Sequence, residues 1–145
     1  MRFMMLIKAN KESEAGVMPS TELFVEMGKY NEELVKAGVL LAADGLQASS
    51  KGARVRFSGD KRTVVDGPFS ETKELIAGFW MIQVKSKEEA IEWARRIPQP
   101  AGSEDSEIEV RQVFDAADFA PQLSQSEEGR AALKAEKAFR QWTST

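Results

Sequence analysis

Cysteine and histidine are both missing from this chain of 145 residues. Without them there are no disulfides, thiolate nucleophiles, Cys-ligated clusters, imidazole-bound zinc or haem, and no His-based catalytic triad. Tyrosine occurs once, at Tyr30. Acid-base chemistry is therefore left to Asp, Glu, Lys or that tyrosine, each of which needs surroundings that move its pKa towards neutrality. An all-oxygen Mg²⁺ or Ca²⁺ site is compatible with the composition, but no residue pattern calls for one, so neither metal nor cofactor is expected. No glycine-rich phosphate loop is present, because Gly45, Gly52 and Gly59 are too scattered to form one. Long apolar runs are missing too: none is long enough to span a bilayer, and Phe3 to Ile7 is shorter than a secretory core. A cytoplasmic location with no membrane partner is the expectation. Nor does one sign of charge dominate, since 20 Lys and Arg stand against 23 Asp and Glu. A net charge of -3 gives no global attraction to phosphate backbones, so nucleic acid is not an expected partner.

What is present is enough for a folded core, with 42% hydrophobic and 30% charged residues in a length that suits one domain and an appendage. Phe3 to Ile7 reads as a strand covered on both faces. After a loop from Asn10 to Pro19, Ser20 or Thr21 caps a helix whose stripe is Leu23, Met27, Tyr30, Leu34 and Ala37, stopped by Gly38. Val39 to Ala43 is a second strand, ending near the carboxylate of Asp44. Ala53 to Asp66 alternates around Ser58-Gly59-Asp60-Lys61, which predicts a hairpin. Asp66-Gly67-Pro68-Phe69 then breaks the chain, a polar turn runs over Ser70 to Glu74, and Ile76 to Val84 is the longest strand. Gly78 within it marks a bulge or a close approach. Ser86 and Glu89 form a capping box for a helix carrying Ala90, Ile91, Ala94 and Ile97 up to Pro98. A loop from Gln99 to Ser106 leads to a last strand, Ile108 to Val113.

Two βαβ units separated by a hairpin define an α+β, ferredoxin-like protomer in which both helices pack on one face of an antiparallel sheet. The other face then exposes several large side chains, either Phe79 and Met81 or Trp80 and Ile82, and face-to-face dimerisation covers them most economically. From Asp115 onward the text changes. A helix starting near Ser126 would dock on the barrel or on the partner through Ala135, Ala138, Phe139 and Trp142, so residues 1–114 are read as the domain and 115–145 as a C-terminal helical extension.

The segment Asp66-Gly67-Pro68-Phe69-Ser70-Glu71-Thr72-Lys73-Glu74 closely resembles the DGPF signature of the YCII-related proteins. The resemblance runs from Met1 to about Phe114, through Gly38-Val39-Leu40, Gly45-Leu46-Gln47, Gly78-Phe79 and Glu109-Val110-Arg111. It implies a homodimeric α/β barrel with the two sheets apposed, in a family whose biochemistry is mostly uncharacterised. The better-known YCII branch is thought to use a His with an Asp, and with no His here only the carboxylate part transfers. The resemblance also implies an association of such domains with transcription regulators.

Asp66 reads in two ways. It is either turn punctuation, with its carboxylate accepting backbone N–H bonds, or a base at a strand end facing the barrel cleft. Lys73, beside Glu71 and Glu74, is the preferred cation for an anionic substrate group, although exposed pairs of this kind commonly contribute little. Asp66 and Lys73 are thus the catalytic candidates, and Asp44 and Glu71 the substrate-binding ones. For Asp44 a turn or helix-capping role competes. Tyr30 lies on the apolar stripe and reads as core with a satisfied hydroxyl. Lys51, Arg54, Arg56, Lys61 and Arg62 crowd the hairpin, where they read as protection of a strand edge more than as a phosphate site. The leading expectation is a small polar or anionic metabolite bound in the cleft, with any turnover being isomerase- or lyase-type proton transfer without a cofactor. The competing one is a non-enzymatic ligand-sensing or interaction module whose C-terminal helix meets a partner.

Overall fold

The computed structural model describes residues 1–100 and 106–143, and part of the loop expected from Gln99 to Ser106 lies outside them. Six strands and five helices follow one another as β1 (Arg2–Lys8), α1 (Lys11–Glu14), α2 (Thr21–Lys36), β2 (Leu40–Gly45), β3 (Ala53–Ser58), β4 (Lys61–Asp66), β5 (Ile76–Gln83), α3 (Lys87–Arg95), β6 (Ile108–Gln112), α4 (Ala116–Leu123) and α5 (Glu127–Thr143). The main sheet has the order β2-β5-β1-β6 with every neighbouring pair antiparallel, and β3 and β4 form a separate two-stranded sheet. The fold is ferredoxin-like α+β, with a hairpin inserted between its second and third sheet strands.

Local chemistry sets most boundaries. Ser20 caps α2, its side chain accepting the Leu23 amide, and the helix runs to Lys36 before Gly38 takes φ +71°, a backbone region that glycine enters freely. Ser86 caps α3 by accepting the Glu89 amide at 3.1 Å, while the Glu89 carboxylate accepts the amide of Lys85, one residue before the cap. The segment read from sequence as a plain loop holds the short helix α1, closed by a reciprocal box between Asn10 and Ser13. Two polar residues three apart can nucleate one turn without an apolar periodicity, which is why the pattern search passed over it.

The core lies between the main sheet and α2 and α3. Phe3 and Met5 of β1 and Trp80 and Ile82 of β5 are buried with Tyr30, Leu34, Ala90 and Ile97. Of the two pairs that could have faced the helices, Trp80 and Ile82 do so. The Tyr30 hydroxyl donates to the Trp93 carbonyl at 2.8 Å and its ring meets Trp80 edge-on at 5.5 Å, so it is the satisfied core residue expected. Burial raises its phenol well above the ordinary value, with Arg96 opposing and Glu33 adding to the rise. Gly78 is a point of close approach: a Cβ there would stand 3.1 Å from the Asp44 carbonyl oxygen. On the opposite face Met4 is paired with Met81 and Leu6 with Phe79, all four half-buried within one chain.

The C-terminal region departs from expectation in two respects. A helix not foreseen, α4, precedes α5, and it contains Pro121. On α5 the inward residues are Gly129 and Leu133, whereas Ala135, Ala138, Phe139 and Trp142, expected to face the barrel or a partner, are exposed on this chain. Gly129 fits so tightly that a Cβ would fall 2.2 Å from the Leu123 carbonyl oxygen, so close helix-to-helix approach, not the aromatic stripe, sets this contact.

Candidate functional site

A cleft of about 440 Å³ opens between α2 and the ends of β2 and β5. Helical spacing places Phe24, Met27 and Asn31 on one side of α2, and Ile7, Trp80 and Asp44 close the hollow from the sheet. Trp80 fixes the polar wall: its indole N–H donates to Asn31 Oδ1 at 2.8 Å. That bond occupies the amide oxygen of Asn31 and leaves its NH₂ as donor. Asp44 stands opposite Phe79 in the β2–β5 ladder, so its side chain projects from the same sheet face as Phe79, exposed at the rim of the cleft. It belongs to a strand, so it caps no helix and makes no turn. The Asn31 amide amid apolar walls, with the Asp44 carboxylate at the rim and no Lys or Arg among the described lining residues, suits a polar ligand with an apolar body.

The other three candidates are grouped on the signature turn, and none of them lines this cleft. Asp66 ends β4, directly opposite Ala53, and is exposed. Glu71 approaches Arg54 at 3.9 Å, and Arg54 in turn lies 3.8 Å over the Phe69 ring. Lys73 sits exposed in a single 3₁₀ turn, Thr72–Glu74. The turn is tied down by its backbone. The Gly67 amide donates to the Gly52 carbonyl at 3.0 Å, the peptide Gly67-Pro68 is cis, and the Phe69 amide donates to Ser49 Oγ at 3.0 Å.

Ser49 is held from the other side by Glu14. The Ser49 amide donates to Glu14 Oε1 at 3.0 Å, and the Ser49 hydroxyl donates to Glu14 Oε2. Sequence reasoning missed both residues, since 35 positions separate them and a lone Glu in a polar segment carries no signal. Asn31 had a faint one: a buried indole requires an acceptor, and the facing helix offers few. The hydroxyl of Ser49, then its amide, hold the Glu14 carboxyl below its ordinary 4.5, with burial opposing. A carboxyl depressed in the folded state contributes stability that is complete above its unfolded pKa and is lost as pH falls through the folded value. The protection factors of the Ser49 and Phe69 amides, exchange rates corrected for the intrinsic pH dependence, should therefore be high at neutral pH and fall as pH drops below about 4.5. In Glu14→Gln that acid-induced step should disappear, and an unchanged step would contradict the tie.

Among the described residues, no group of three or more His, Cys, Asp or Glu could hold a metal ion, and no helix is long and apolar enough to cross a membrane. Fold and hollow together define a ferredoxin-like α+β protein with a small, mostly apolar cleft between its first long helix and the sheet. The chain belongs to the YCII-related domain family, whose model matches residues 1–117. It is also 37% identical over 86 residues to an uncharacterised protein of Rhizobium meliloti (strain 1021), a match that covers 59% of this chain and 64% of that relative. The chain thus spans somewhat less than two thirds of the curated relative it matches.

Proposed function

We propose that this protein is a cytoplasmic homodimer whose residues 1–114 bind a small polar metabolite, with residues 115–145 as an appended helical segment. The observation that carries the reading is the cleft beside Asp44, where the Asn31 amide donates to the ligand, apolar walls hold its body and the rim carboxylate of Asp44 accepts from it. Asp66 and Lys73 are the proposed base and stabilising cation of a cofactor-independent isomerase or lyase reaction, and Glu71 is a second binding carboxylate. Of the four candidates, Asp44 has the hollow beside it, so ligand contact is assigned there first. The second subunit enters because Met4, Leu6, Phe79 and Met81 form a continuous patch on the sheet face away from the helices.

Mass spectrometry of the unfolded protein after purification tests the binding reading. The wild type should release a small molecule in near-stoichiometric amount, and Asp44→Asn should release at least about tenfold less, a loss equivalent to about 1.4 kcal/mol of binding, at an unchanged melting temperature. Equal release from both proteins, or none from either, contradicts it.

A non-enzymatic ligand-sensing or interaction module associated with transcriptional regulation is the second reading. It is favoured by one observation: Phe139 and Trp142 on α5 are 51% and 75% exposed, with their rings stacked at 6.5 Å. Deleting residues 115–145 should then abolish capture of a protein partner while leaving the dimer intact. A partner retained by the truncated chain would contradict this reading.

A further inference from the structure

The β3–β4 hairpin forms its own sheet, and an isolated pair of strands is at best marginally stable in water. Its two faces differ. One carries Arg54 opposite Val65, both half-buried near Phe69 and Glu71. The other sets Val55 opposite Val64 and Phe57 opposite Arg62, and there the three apolar side chains are 51%, 65% and 71% exposed, Phe57 most of all. Arg62 lies 4.6 Å over the Phe57 ring. Near the tip, Arg56, Lys61 and Arg62 have no ion-pair partner among the described residues. The hairpin is thus an apolar, cationic arm, in a chain whose net charge is -3.

A surface of opposite character lies elsewhere on the same molecule. A cleft of about 560 Å³ between α1 and the start of α2 is walled by Val17, Met18 and Leu23, with Glu12, Glu22 and Glu26 among its lining residues. Among the described residues no Lys or Arg lines it. Val17 and Met18 are 58% and 73% exposed. Glu26 pairs with Lys29 at 3.3 Å, whereas Glu12 and Glu22 have no ionic partner among the described residues.

We propose that the β3–β4 hairpin is an arm that docks in the α1–α2 cleft of a second copy of this chain. The charge signs are complementary, all of these charges except Glu26 lack an ion-pair partner among the described residues, and each surface offers apolar groups that the other can cover. A strand of six residues reaches about 20 Å, enough to lay the Phe57 end across a neighbouring subunit. Contact between unpaired surface charges also makes the docking sensitive to salt. This goes beyond the sheet-to-sheet dimer, which uses other residues and is tested separately by Leu6→Glu on the sheet face.

The absence of cysteine makes the test direct. Phe57→Cys and Met18→Cys are made in separate chains, both at exposed positions so that neither disturbs the core, and the two proteins are mixed with a short bismaleimide. The expected product is a mixed dimer linked through positions 57 and 18, with its yield falling severalfold in high salt. Adding Arg56→Glu and Lys61→Glu to the first chain should suppress the link, and Glu12→Lys with Glu22→Lys in the second should restore it. Linkage of position 57 only to itself, no mixed product in low salt, or no restoration by the reversed charges would overturn the proposal.

Discussion

Gly67→Ala is expected to destabilise the fold by about 3 kcal/mol, which lowers the melting temperature by about 10 °C in a chain of this size. A Cβ at this position would lie 1.8 Å from the Ser49 carbonyl oxygen and 2.6 Å from its carbon. Both are backbone atoms, and the Ser49 backbone is itself fixed through its amide to Glu14. No flexible side chain is available to move aside, so either the signature turn or the Ser49 segment must shift. The Gly67 amide bond to Gly52 and the Phe69 amide bond to Ser49 would be strained by the same movement. Asp66→Asn is the control, because an exposed side chain beside the same turn should change stability by no more than about 0.5 kcal/mol. Thermal melts of the three proteins decide the matter. A Gly67→Ala protein that melts with the wild type would show that the turn is not packed against Ser49.

Leu6→Glu is expected to weaken the proposed dimer at least about a hundredfold, or roughly 2.7 kcal/mol. Leu6 lies opposite Phe79 on one side and Glu109 on the other, in the middle of the face turned away from the helices. In a two-fold interface every residue occurs twice, so the substitution buries two unpaired carboxylates, each beside an existing Glu109. Within a single chain the side chain is only half-buried, so the protomer should still fold and keep its helical far-ultraviolet signal. Analytical ultracentrifugation over a dilution series checks this, and an unchanged association constant would remove Leu6 from any interface.

The sheet and the helices α2 and α3 were legible because their information is local. Ser20 and Ser86 announce helix starts, Gly38 a stop, and Ser58 to Lys61 a hairpin, each within a few residues of the element it shapes. The face chosen by β5 was not legible, since Phe79 with Met81 and Trp80 with Ile82 are equally apolar; the indole bond to Asn31 and the ring contact with Tyr30 select the second pair. The candidate site divides in the same way. Asp44, Asp66, Glu71 and Lys73 were found by residue type and by the resemblance of the signature segment, but which of them borders a hollow depends on how α2 crosses β2 and β5. That is a long-range property. The tie from Glu14 through Ser49 to Phe69 joins three segments distant in the chain, and the exposed aromatics of α5 give way to Gly129 at the α4 contact because a missing side chain allows closer approach than a large one.

A second chain covering the Met4, Leu6, Phe79 and Met81 face is the proposal on which dimer and cleft both depend. Sedimentation equilibrium of the wild type at low micromolar concentration tests it most directly. The expected result is a species of twice the 16.1 kDa chain mass that Leu6→Glu shifts towards 16.1 kDa. A single species at 16.1 kDa, with that face left in water, would contradict it.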